Sequence, residues 1–232
     1  MKNLKKRLIS TLKISCKLLL FLFLSFKVYS SDILLEIRGN DFTDNDVILS
    51  LIKEKPSKLD EEYSNYLIKT LDNSNLFDEV SVKIEENKFI IFISEYANLN
   101  KIFYRNNERL KNEELDEVAN QLNISNSNPN LINNFITEVK KIYNSFGYNN
   151  IEITYSLDVE ESSNVADLFI EFNEGEITKI SNIYFEGNDS ISKQTLRSVI
   201  KSKTKTLRNI FANNNYKEFI VENDLLLISR YY

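Results

Sequence analysis

The sequence predicts an α+β protein of tandem β-α-α-β-β units, each a small mixed three-stranded sheet packed on two helices. Three observations predict it. The phrase Ile37-Arg38-Gly39-Asn40 returns as Tyr184-Phe185-Glu186-Gly187-Asn188, and a third copy, Ile102-Phe103-Tyr104-Arg105-Asn106-Asn107, lies between them with asparagine in the glycine place. A helix-spaced apolar stripe follows each phrase, and two strand patterns of different character follow the stripes of the first two copies. The chain of 232 residues has four glycines, so two in one repeated phrase are not loop filler. Glycine and asparagine tolerate positive φ, and each phrase reads as a strand ending in a tight turn at Gly39-Asn40, Asn106-Asn107 or Gly187-Asn188.

The elements after each turn come into line. Phe42 and Val47, Leu110 and Leu115, and Ile191 and Leu196 are apolar pairs at one spacing, with tails Leu51-Ile52, Val118 with Leu122, and Val199-Ile200. They predict one short helix per unit, packed by a single stripe. A second helix follows. In the first unit Leu59, Tyr63, Tyr66, Leu67 and Leu71 keep helical spacing, and Pro56-Ser57 ahead of Asp60 supplies start chemistry. In the second unit Ile132, Phe135, Ile136, Val139, Ile142, Tyr143 and Phe146 share one face after Asn130, and Gly147 closes the helix as a left-handed cap.

Two strands complete each of these units. Val80, Val82 and Ile84 alternate with polar residues, as do Ile151, Ile153, Tyr155 and Leu157, whereas Phe89 to Ile93 and Leu168 to Ile170 are continuous apolar runs. Alternation marks a strand with one wet face and a continuous run marks a more buried one, so the alternating strand is expected at the edge and the continuous strand at the centre. Glu86-Asn87-Lys88 is expected to turn the first pair as a hairpin. The expected units are residues 31–97, 98–175 and 176–232, the third lacking its last two strands. The connections near Glu95 to Asn100 and through Gly175 are short, which restricts motion between units.

Residues 1–30 hold seven of the 29 Lys and Arg, no acid, and an apolar run from Leu18 to Phe26. That is the pattern of a secretory signal peptide, with cleavage expected at Ser30 and Ser31, and the run falls short of the ~20 residues a membrane-crossing helix needs. Its removal leaves 22 basic against 34 acidic residues, a net charge of −12, and a surface that repels nucleic acid. The single cysteine, Cys16, lies in the leader, so the mature chain is expected to have no disulfide. No histidine is present, and the isolated glycines make no phosphate-cradling loop. Asp60-Glu61-Glu62, Glu113-Glu114 and Glu160-Glu161 lack calcium-loop spacing and read as helix starts and turns. The reading is no enzyme, no metal and no cofactor.

A binding module needs none of those groups. An edge strand presents unpaired backbone N–H and C=O groups to which an extended peptide can add as a further strand. The expected edges are Val80 to Glu85 and Asn150 to Asp158, with Val80, Ser81, Val82, Lys83, Ile84 and Glu85 in one and Ile151, Glu152, Ile153, Thr154, Tyr155, Ser156 and Leu157 in the other. The groove toward the second helix would take client side chains.

Asn75-Leu76-Phe77-Asp78-Glu79-Val80, Ser145-Phe146-Gly147-Tyr148, Ala166-Asp167-Leu168 leading to Asn173-Glu174-Gly175, Ile183 to Asn188, and Asp224-Leu225 leading to Arg230-Tyr231-Tyr232 stand in a specific order and spacing and together cover nearly all of residues 33–232. In these stretches the sequence resembles the polypeptide-transport-associated (POTRA) domains, particularly those of the central subunit of the Bam outer-membrane β-barrel assembly machine in its α-proteobacterial form. It departs from them in Asn106-Asn107, where Gly-Asn is usual. Such proteins also carry further POTRA units and a C-terminal transmembrane barrel, which the resemblance places outside this chain. The resemblance implies a location on the periplasmic side of a Gram-negative outer membrane. It implies unfolded outer-membrane protein clients and lipoprotein partner subunits. A related translocation and assembly module, a two-partner secretion transporter, and a free-standing secreted adaptor or adhesin stay open as alternatives.

Overall fold

The computed structural model describes residues 33–206 and 211–232; the expected leader and its cleavage point at Ser30 and Ser31 lie outside the described residues. Strand β1 (Leu34–Arg38) ends at Gly39, where φ is +86°. Helix α1 (Asn45–Leu51) and helix α2 (Glu61–Asp72) follow, and α2 starts where the Asp60 carboxylate accepts the Tyr63 N–H at 3.0 Å. Strands β2 (Phe77–Glu85) and β3 (Lys88–Glu95) form the hairpin through Glu86-Asn87, with Glu86 at φ +37°. β3 pairs parallel with β1 and antiparallel with β2, so the order is β1-β3-β2.

The second unit repeats this path. Strand β4 (Asn98–Arg105) turns at Asn106, φ +61°, into helix α3 (Asn112–Gln121) and helix α4 (Pro129–Phe146). Strands β5 (Glu152–Glu160) and β6 (Val165–Asn173) complete the order β4-β6-β5. Asn106 therefore keeps the turn that glycine makes in the first unit. Helix α4 begins at Pro129 behind Asn128, whose side chain accepts the Asn130 N–H at 2.8 Å, and Gly147 ends it at φ +103°.

Each unit has its own core. Ile48, Leu67, Leu71, Phe77, Phe89, Ile91 and Ile93 close the first, and the α4 face from Ile132 to Tyr143 meets Leu168, Ile170 and Phe172 of β6 in the second. Burying one such side chain stabilises by about 1.5–3 kcal/mol, which makes the stripes the main force holding helices on sheets. The edge and centre assignments of the strands agree with the sequence. The expected burial of the continuous run needs correction at Phe92, which is 38% exposed, because helices cover only one face of the sheet. Ile151 also falls outside its expected strand; it is buried just ahead of β5.

The third region holds helix α5 (Lys193–Val199) and helix α6 (Glu218–Tyr231). Its phrase turns as expected, with Gly187 at φ +70°, but the strand expected before it is not formed. Residues 180–186 have no ladder partner among the described residues, and an extended segment without one is not a strand. The isolated bridge from Lys179 to Asn215 precedes this segment, and hydrogen bonds of Ile180 with Asn214 and of the Ile183 carbonyl with Arg197 hold it without forming a ladder. Among the described residues no helix is long and apolar enough to cross a membrane.

Candidate functional site: two sheet edges on jointed units

The fold brings the predicted edge residues to the rims of two equivalent sheets. β2 pairs only with β3 and β5 only with β6, so the outer rim of each strand has no partner strand among the described residues. On the helix side Val80 and Val82 are half-buried, Ile153 is buried, and Tyr155 and Leu157 are half-buried. Ile84 is exposed. On the open side Ser81 and Lys83, and Glu152, Thr154 and Ser156, face solvent, while Glu85 is half-buried and paired to Lys83 at 2.6 Å. The β2 rim thus carries a compensated ion pair, whereas β5 has acids and no basic residue.

The open faces are built alike at the central strand. Phe92 of β3 lies beside Ser81 and under the Arg38 guanidinium at 5.7 Å; Phe169 of β6 lies beside Ser156, under Arg105 at 5.3 Å and stacked on Phe103 at 4.9 Å. Position along the central strand, set by register, puts an aromatic residue next to each candidate edge.

The turn phrases hold the sheets to their helices. The Asn40 amide donates to Thr43 O at 2.9 Å and Asn45 Oδ1 at 2.8 Å, and Asn107 donates to Leu110 O at 2.8 Å and Asn112 Oδ1 at 2.9 Å. Asn188 donates to Ile191 O at 2.7 Å in the third region. A carboxylate from the end of the central strand then grips the loop: Glu95 accepts the Phe42 N–H at 2.8 Å, and Glu174 accepts the Arg109 N–H and the Tyr143 hydroxyl, each at 2.8 Å. Burial, with the Glu174 carboxylate beside it, pushes the Tyr143 phenol well above its ordinary pKa. Burial and Asp116, 3.0 Å away, do the same to Tyr104. Sequence reasoning missed both glutamates. Their signal was present: each stands two residues after the last inward-facing residue of the central strand.

Both joints between units use one device. Leu99 N–H to Ser125 O at 2.9 Å and Ser127 N–H to Ala97 O at 2.8 Å recur as Ile180 N–H to Asn214 O at 2.7 Å and Tyr216 N–H to Thr178 O at 2.8 Å. An asparagine then reaches back to the end of the preceding unit's second helix, Asn126 to the Asn75 carbonyl at 2.7 Å and Asn215 to the Phe146 carbonyl at 3.4 Å. Gly147 lies in the second joint, where an added Cβ would meet Ile177 Cγ2 at 3.1 Å and Asn215 Cβ at 3.2 Å. Gly175, at φ +64°, lies between the end of β6 and that joint. Among the described residues no group of three or more His, Cys, Asp or Glu could hold a metal ion.

The chain is 24% identical over 197 residues to the outer membrane protein assembly factor BamA of Neorickettsia risticii (strain Illinois), a match covering 84% of this chain and 27% of that protein. It is 25% identical over 148 residues to BamA of Neisseria meningitidis serogroup B (strain MC58), covering 61% and 18% respectively. In sequence the chain is thus similar to part of these two assembly factors. The chain spans about a quarter and under a fifth of the lengths of these two relatives. No protein-family profile matches it. Among solved structures, the N-terminal domain of Omp85 from the cyanobacterium Thermosynechococcus elongatus aligns over 86% of this chain and 84% of that one, with 12% identity and a TM-score of 0.46. In these repeating units the candidate site is the pair of rims on β2 and β5, with the asparagine joint between the units.

Proposed function

We propose that this chain is the periplasmic part of an outer-membrane protein assembly factor, binding unfolded β-rich clients by strand addition and scaffolding partner subunits. One observation carries the reading: two units in series each present an antiparallel edge strand whose outer rim lacks a partner strand among the described residues, beside a half-buried apolar row. Backbone pairing makes little demand on client sequence, which suits many different clients. Val82 and Ile153 mark the middle of the two edges, and the groove toward α2 or α4 receives alternate client side chains. The proposed units are residues 31–97 and 98–175, with 176–232 an incomplete third. Lipoprotein subunits dock on the units, and the site chemistry needs no cofactor and performs no catalysis. Both curated relatives are assembly factors, which favours this reading over a related transporter, a free-standing adaptor or an adhesin.

Val82→Pro and Ile153→Pro, each in the full chain, test the edges. Each removes a rim N–H, and proline is tolerated in an edge strand. Each is expected to abolish photo-crosslinking of an unfolded β-barrel strand peptide to its own edge while circular dichroism stays native. Crosslinking that persists in both folded variants would refute strand addition at these edges.

A further inference from the structure

The start of β5 borders an open hollow of about 740 Å³, lined among others by Glu108, Tyr148, Glu152, Thr154, Glu171 and Asn173. Its three carboxylates, on Glu108, Glu152 and Glu171, are exposed and form no ion pair among the described residues. Two long amide contacts reach them, Asn173 to Glu152 and Asn106 to Glu171, each at 3.4 Å.

The nearby cations are engaged elsewhere. Arg105 stands opposite Glu171 in the β4–β6 register, yet its guanidinium lies over the Phe169 ring at 5.3 Å. Arg109, next to Glu108 in the chain, lies over Phe146 at 3.5 Å, and β5 itself carries no basic residue. The first unit is built differently at the same place. Its row across the sheet reads Arg38, Phe92, Ser81, where the second unit has Arg105, Glu171, Thr154. A phenyl ring thus stands where the second unit has a carboxylate, and the one cation of β2, Lys83, is compensated by Glu85.

A strand added to β5 turns every second side chain to this open face, directly opposite the β5 residues on that face. The place opposite Thr154 looks past a small side chain to Glu171, its partner on β6, with Glu152 two residues before it on β5. We propose that Glu152 and Glu171 are specificity-determining residues of the β5 edge, selecting client strands that carry a lysine or arginine opposite Thr154, on the face turned away from the helices. This rests on strand addition as the function of that edge: the rim supplies the pairing and the hollow supplies the choice. The incoming cation meets carboxylates that have no cation of their own, beside the aromatic wall of Tyr148, while its alkyl stem covers Thr154. The β2 edge, with Phe92 in place of the carboxylate, takes strands without regard to this charge.

The probes are two fluorescein-labelled peptides of alternating threonine and valine, identical but for one central threonine place, which holds lysine in one and glutamate in the other. Anisotropy on the full chain is the readout. In the Val82→Pro protein, where the β5 edge is the one left to pair, the lysine peptide is expected to bind about tenfold more tightly than the glutamate peptide. Adding Glu152→Gln and Glu171→Gln should bring the two affinities within about twofold of each other. Both glutamates are exposed, so their replacement leaves the fold intact. In the Ile153→Pro protein, which leaves the β2 edge, the two peptides should also bind within about twofold of each other. Equal affinities for the Val82→Pro protein, or a preference that survives both glutamine replacements, would overturn the proposal and leave strand addition standing. A preference as large at the β2 edge would overturn it too, since the acid excess of the whole chain would then be its cause. No saturable binding of either peptide to the Val82→Pro protein would instead refute strand addition at β5, and this inference with it.

Discussion

Gly39, Asn106 and Gly187 occupy one position in three copies and experience three different constraints. All have positive φ, at +86°, +61° and +70°. Gly39 alone also lies under a carbonyl that a Cβ would overlap. Asn106 meets the φ requirement with a side chain that donates to Glu171 at 3.4 Å. Gly187 has open space. A left-handed L-residue costs about 1–2 kcal/mol, and a forced backbone shift adds a comparable amount. Gly39→Ala should therefore lower unfolding stability by about 3 kcal/mol and Gly187→Ala by about 1 kcal/mol, measured by urea denaturation of the full chain. Equal effects would show that the β3 carbonyl does not matter. The asparagine substitution was legible in the sequence as a turn. The difference between the two glycines was not, because it depends on whether another strand passes 54 residues further along the chain.

Helices are pinned to sheets through buried phenols as well as apolar stripes. Tyr63 of α2 packs on Phe89 of β3 with ring centroids 5.2 Å apart, and burial pushes its pKa up to about 12. Tyr143 of α4 and Tyr104 of β4 are raised further by burial and by the carboxylates they bond. A folded pKa above the ordinary value of 10.0 means that the phenols' contribution is complete below that pH and declines as pH rises through the folded values. Stability should accordingly fall as pH climbs from about 10 to 12 and above. Absorbance at 295 nm should show these tyrosines ionising late and together with loss of helical dichroism, and Tyr143→Phe should shallow the decline. Titration of every tyrosine near pH 10 in an intact fold would contradict this. The helices and strands were legible because periods of 3.6 and 2 are local. The Tyr143–Glu174 bond was not, since it joins residues 31 apart across two elements.

At the scale of the molecule, the units meet at hydrogen-bonded joints. Asn126 and Asn128 both reach Asn75, at 2.7 Å to its carbonyl and 3.3 Å to its side-chain oxygen. Asn126 is buried, so losing its amide leaves a carbonyl poorly satisfied, at a cost of about 1–3 kcal/mol. Asn126→Ala should loosen the first joint, seen as a larger radius of gyration by small-angle scattering and faster proteolysis near Ala97, with both units still folded. Unchanged scattering would place the rigidity elsewhere. Short linkers in the sequence predicted restricted motion. They did not name the asparagines that bond across the joint, because Asn75 and Asn126 are 51 residues apart.

The sequence by itself determined the repeat, the order of elements in the first two units, the turn residues and which strand is edge or centre, since each follows from periodicity within a few neighbouring residues. Tertiary structure alone decided that Phe92 is exposed, that Glu95 and Glu174 grip the loops, that asparagines bridge the joints, and that residues 180–186 form no strand. These depend on partners distant in sequence. A strand, unlike a helix, satisfies its backbone only through another segment, and no local pattern reveals whether that segment is in place.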